Sequence, residues 1–183
     1  MLRLRILQCG AIVTFFGREP HHSHQQPVQG FVRGRDEGQP IDLPNWSMSV
    51  KVNAGDTLGR LTVLEGRMAP QLAGPPAHVH SGHDETFVVI EGRMRFRTGD
   101  TFSTAVPGET VFASRQLAHG FNNPFDDPAR YIAILTPSGY ENYFARVAEH
   151  VARTGAMPDH EQARELMAEY DTVLAPPLTD VAV

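Results

Sequence analysis

From Ser47 onward, apolar and polar residues alternate in short runs separated by turn residues. The runs cover residues 48–53, 61–68, 77–80, 85–91, 93–97, 101–106, 110–113, 118–122 and 130–136. Breaks fall at Gly55-Asp56, Gly74-Pro75-Pro76, Gly99-Asp100, Pro107-Gly108 and Asn123-Pro124. Alternation with a period of two, bounded by Gly, Pro and Asn, predicts β-strands. Many short strands at this spacing predict an all-β sandwich or barrel.

The period then changes. Ser138-Gly139-Tyr140-Glu141 reads as a capping box, with Ser138 as N-cap and Glu141 three residues on. Tyr140, Tyr143, Phe144, Val147 and Val151 recur at helical spacing. Asp159 with Gln162 repeats the capping logic, and Ala163, Leu166, Met167, Tyr170 and Leu174 follow on one face before Pro176-Pro177. Two C-terminal amphipathic helices are expected, packed on the outside of the barrel. Their aromatic residues read as core.

Upstream, residues 17–47 are rich in Gly, Pro, Gln and His and show little periodicity. They read as an extended arm or linker, with His21, His22 and His24 in a solvated polar tail. Arg3 and Arg5 before the apolar residues 6–16 faintly resemble a signal peptide. However, Gln8 interrupts the run, no small-residue cleavage site follows, and the stretch is too short to span a bilayer. The expected organisation is a partly disordered N-terminal extension over 1–46, a β-barrel over 47–137 and helices over 138–183.

At 183 residues the chain is one domain with short extensions. A formal net charge of -5 without any basic run argues against nucleic acid or an anionic membrane as partner. Cys9 is the only cysteine, so no intrachain disulfide can form, which fits a cytoplasmic protein.

The candidate chemistry lies in His78-Val79-His80-Ser81-Gly82-His83-Asp84-Glu85, with His119 further on. Two imidazoles at i and i+2 share one face of a strand, and Glu85 can return to that face after a Ser-Gly turn. His119, from a separate strand, closes the set. Three imidazole nitrogens and a carboxylate oxygen suit one divalent transition metal: Fe, Mn, Ni, Co, Cu or Zn. Strand parity places Phe87 and Val89 inward with Glu85, and Phe121 inward with His119, which gives an apolar candidate substrate pocket. His83 is expected at the rim, and Asp84 outward. Asn123 reads equally as a supporting polar group or a turn residue before Pro124. Arg93, Arg95 and Arg97 alternate on one strand face, expected to point outward.

The full spacing resembles the two motifs of the cupin family. The first matches at His78, His80, Glu85 and Gly92, and the second at Gly108, His119 and Asn123. The departures are Leu72 where the first motif leads with glycine, and Ser114 and Gln116 in place of a Pro-x-Gly. The runs Pro75-Pro76-Ala77-His78-Val79-His80, Asp84-Glu85-Thr86-Phe87 and 137–144 look like single-domain bacterial cupins related to quercetin 2,3-dioxygenases. The resemblance implies a double-stranded β-helix, or jelly-roll barrel, followed by helices. It implies His78, His80, Glu85 and His119 as metal ligands, with Glu85 also a candidate general base.

Three functions follow as expectations. The leading one is a metal-dependent oxidoreductase, a dioxygenase joining O₂ to a flavonol-like or other enol or aromatic small molecule. The second is a metal-dependent isomerase, lyase or hydrolase on a small polar substrate, which an inward arginine row would favour. The third is a small-molecule-binding cupin without turnover. A homodimer, paired through an N-terminal strand, is also expected.

Overall fold

The computed structural model describes residues 29–176. The strands are β1 (Gln39–Leu43), β2 (Trp46–Val52), β3 (Thr62–Met68), β4 (His78–His80), β5 (Asp84–Glu91), β6 (Met94–Thr98), β7 (Thr101–Ala105), β8 (Thr110–Ala113), β9 (His119–Asn122), β10 (Ala129–Thr136) and β11 (Thr172–Leu174). The helices are α1 (Ala54–Thr57), α2 (Glu141–Thr154) and α3 (His160–Ala168). The strands form two antiparallel sheets, ordered β1-β2-β3-β10-β5-β8 and β11-β4-β9-β6-β7. The architecture is mainly β, two antiparallel sheets followed by C-terminal helices.

Alternation builds the core between the sheets. In β5, Glu85, Phe87 and Val89 are buried while their neighbours are half-buried; in β10, Ala129, Tyr131, Ala133 and Leu135 do the same. Tyr131 is fully enclosed, and its hydroxyl accepts a hydrogen bond from Trp46 Nε1 at 2.9 Å. The Tyr131 ring lies so close to Gly66 that any Cβ there would collide with it. Gly92 turns β5 into β6 with a φ of 71°, a conformation that side chains disfavour.

Each of the strands read from alternation forms within two residues of its expected ends, but the sheets extend further at both ends of the chain. β1 lies inside the segment read as an arm: its Ile41 and Leu43 are buried, and it pairs with β2 along its whole length. Pro40 obscured it, because proline is tolerated only on an edge strand, the position β1 occupies. At the other end, α3 stops at Ala168 and Leu174 belongs to β11, which pairs with β4. The helical face extrapolated to Leu174 is therefore a helix followed by a short strand.

Ser138 does not cap α2. Gly139 has a φ of 126°, outside helical space, and its N–H donates to the Glu141 carboxylate at 2.6 Å. The helix consequently starts at Glu141. The capping box expected for α3 forms: Asp159 accepts from Glu161 and Gln162 N–H, and Gln162 accepts from Asp159 N–H. The helices pack Tyr140, Tyr143, Phe144 and Met167 across the barrel mouth. No helix among the described residues is long and apolar enough to cross a membrane. Cys9, His21, His22, His24 and the leader-like start lie outside the described residues.

Candidate metal centre

His78 and His80 occupy β4, and His119 occupies the facing position on β9, paired with His78 in register. Glu85 comes from β5 in the opposite sheet, so both sheets contribute to the cluster. All four residues are buried, and each offers a ligand atom within 4.8 Å of the others.

The hydrogen bonds fix which nitrogens face inward. His78 Nδ1 lies 2.7 Å from the carbonyl of Pro76, and His119 Nδ1 lies 2.9 Å from the carbonyl of Leu117. A carbonyl can only accept, so both Nδ1 atoms carry the proton. His80 Nδ1 sits 2.7 Å from the Thr172 hydroxyl, which itself donates to the Tyr170 carbonyl at 2.9 Å. Its hydrogen being committed there, the hydroxyl accepts from His80. All three imidazoles are thereby oriented to turn Nε2 toward Glu85.

The inward atoms are crowded in a way that suits a cation. His78 Nε2 and His80 Nε2 are 3.0 Å apart, and with both Nδ1 atoms protonated two lone pairs face each other. Glu85 Oε2 is 3.2 Å from His119 Nε2, and Oε1 is 3.4 Å from His80 Nε2. A divalent ion relieves the lone-pair repulsion and uses the carboxylate charge, so this donor set fits a transition metal.

The electrostatics of the four side chains agree. Burial, reinforced by the charges of His119 and His80, pushes His78 down to about 3, which keeps its imidazole neutral. Burial also lowers His80, against the pull of Glu85. At His119 burial acts downward, but the hydrogen bond and charge of Glu85 outweigh it, and the imidazole is raised above its ordinary value. Burial works to raise Glu85, yet contacts with His119, His80 and His83 hold it well below the carboxylate range. Glu85 thus favours the charged form of His119, and the histidines favour the ionised form of Glu85.

Other expected residues fall as follows. Asp84 faces outward and its Oδ2 pairs with Arg115 at 2.7 Å. His83 is not at an open rim: only 6% of it is exposed, and it packs against His80 and Tyr140. Asn123 is fully buried and ties a turn together, donating to the Ala69 and Asp127 carbonyls and accepting from Phe125 N–H. It is a structural residue, away from the cluster's hydrogen bonds. Arg93 and Arg95 are exposed, as expected, and stack on Phe125 and Phe102; Arg97 is buried instead, its guanidinium bonding the Gly99 and Pro176 carbonyls and not the cluster.

The pocket reading needs correction. Phe121 lines a cavity of about 20 Å³ beside His78 and Glu85, enough for one water. Phe87 and Val89 lie deeper and pack in the core, Phe87 against Phe96, Phe121 and Tyr131. Strand parity gave their direction but not their depth. The rest of the cavity wall comes from Pro75, Pro76, Tyr140, Tyr143, Phe144 and Met167. Beyond Pro75, Pro76, Tyr143, Phe144 and Met167 lies an apolar cleft of about 360 Å³, which Trp46, Leu72, Val147 and Ala163 help to line. Sequence reasoning missed this helix-borne wall and also Thr172; the helical aromatics were visible, but only as core.

Residues 62–135 match the family model of the cupin domain. No curated protein matches the chain. Among solved structures, the chain is similar to KdgF from a Halomonas species, at 16% identity and a TM-score of 0.55 over 62% of this chain and 99% of that one. A predicted oxalate decarboxylase from Thermotoga maritima is 16% identical with a TM-score of 0.54, over 58% of this chain and 99% of that one. An RmlC-like cupin from Shewanella frigidimarina is 15% identical with a TM-score of 0.53, over 62% of this chain and 96% of that one. At such identities these likenesses speak for the fold alone. The two-sheet topology and the converging motif residues agree with that likeness: the fold is that of a cupin, and residues 62–135 are the part that resembles the family's domain.

Proposed function

We propose that this protein is a metal-dependent dioxygenase acting on a flavonol-like or other enol or aromatic small molecule. The observation that carries the reading is a buried three-histidine, one-glutamate donor set opening onto an apolar, aromatic wall. A divalent transition metal in that set supplies Lewis acidity and, when redox-active, a route for electrons to dioxygen. His78, His80 and His119 would hold it through Nε2, and Glu85 through a carboxylate oxygen.

The chain's own residues do the rest. Tyr140, Tyr143, Phe144 and Met167 keep bulk water from the centre, which strengthens every charge interaction inside. The adjoining cleft has a volume within the usual range for small-ligand pockets, about 300–1,000 Å³, and suits a flat apolar body. Glu85 is ionised beside the cavity and can take an enol hydroxyl proton, although the same carboxylate is a weaker base while it serves as ligand.

A metal-dependent isomerase or lyase on a polar substrate is the weaker reading. It calls for cationic groups facing the centre, and Arg93, Arg95 and Arg97 are engaged elsewhere. The test is dioxygen consumption by the metal-loaded protein with a flavonol. Uptake that depends on flavonol, and is lost in His119→Ala, supports the dioxygenase. Saturable flavonol binding without uptake points instead to a binding cupin.

A further inference from the structure

His83 belongs to neither cupin motif, yet it is buried and its Nε2 has no hydrogen-bond partner among the described residues. That nitrogen points at Glu85 Oε1 from 3.5 Å, too long for a hydrogen bond. The ring belongs to a three-ring cluster: its centroid is 3.9 Å from that of His80 and 4.4 Å from that of Tyr140, and those two are 4.4 Å from each other. A buried ring nitrogen held in place without a partner is costly unless another state of the site gives it one.

Metal binding would give it one. His119 Nε2 lies nearest Glu85 Oε2, and Oε1 faces His80 and His83, so with Oε2 engaged at a metal Oε1 would remain free to accept. His80 has its proton on Nδ1 and would spend Nε2 on the metal. His83 Nε2–H is then the donor left for Oε1, and an approach of roughly 0.6 Å brings it to an ordinary N–H···O length of about 2.9 Å.

We propose that His83 is a positioning residue that locks Glu85 into metal ligation by hydrogen-bonding its second carboxylate oxygen. This rests on the metal-centre reading above. It also decides between the two roles of Glu85: a carboxylate with one oxygen on the metal and the other accepting from His83 is a firm ligand and a poor base. Tyr140, at the entrance to α2, holds the His83 ring, which ties this second layer to the C-terminal helices.

The test uses cobalt(II)-loaded full-length protein: parent, His83→Ala and His83→Gln. The expected result is a shifted visible d–d spectrum and an about 10–100-fold weaker cobalt affinity in His83→Ala. His83→Gln, whose amide can donate to Oε1, should restore both. X-ray absorption should count the same number of imidazoles in all three. An unchanged spectrum and affinity in His83→Ala overturns the proposal, as does a glutamine variant no better than alanine. Loss of one imidazole would make His83 a ligand and overturn it as well. If His83→Ala does not fold, His83→Phe keeps the stacked ring without a nitrogen and must show the same shift. A parent that takes up no cobalt refutes the metal centre itself, a failure distinct from that of His83.

Discussion

His80 Nδ1 and the Thr172 hydroxyl lie 2.7 Å apart across 92 positions of sequence. β11 places Thr172 opposite His80 in register, so the C-terminal strand sets the tautomer of a histidine in the cluster. Thr172→Val keeps the shape and removes the acceptor. Metal affinity should fall about 10–100-fold, while Thr172→Ser keeps it near the parent value. Competition titration against a chelator measures both.

Metal affinity should also depend on pH with a defined sign. In the metal-free protein the proton on His119 is held more tightly than on an ordinary imidazole, because Glu85 outweighs burial. Below the raised His119 value the metal must expel that proton; above it the site is already deprotonated. Apparent affinity should therefore climb with pH, and keep climbing above about 6.5, the ordinary histidine value, before levelling. In His119→Ala this ascent should disappear together with most of the binding.

Trp46 is the chain's single tryptophan and lines the apolar cleft, edge-on to Phe144 with ring centroids 5.6 Å apart. A flavonol seated there should quench its fluorescence saturably. Ala163→Phe fills the cleft from α3 without touching a metal-facing residue. Quenching should weaken at least tenfold in this variant while metal content stays the same.

Stability should respond to core and cap separately. Leu135 is fully buried and sits opposite Glu85 on β10. Leu135→Ala should cost about 2–5 kcal/mol by urea unfolding. Asp159→Ala removes the acceptor for two N–H groups of α3 and should cost about 1 kcal/mol.

The sequence disclosed the barrel because alternation is the direct imprint of one buried face. It disclosed the three-histidine, one-glutamate cluster because strand parity carries His78 and His80 inward together, while the Ser-Gly turn lets Glu85 meet them from the opposite sheet. What it concealed depends on contacts remote along the chain. β1 was hidden by Pro40, and β11 by a helical spacing that ran on into Leu174. His83 follows a turn, where parity gives no direction, and its burial comes from Tyr140. The depth of Phe87 and Val89 could not be read from direction alone.

Every step of the proposed chemistry depends on His78, His80, Glu85 and His119 binding a transition metal. The most direct test is metal content by mass spectrometry on the purified protein, beside His119→Ala. Near-stoichiometric Fe, Mn, Ni, Co, Cu or Zn is expected in the parent, and its loss in the variant. Absence of metal from the parent, even after reconstitution, would contradict it.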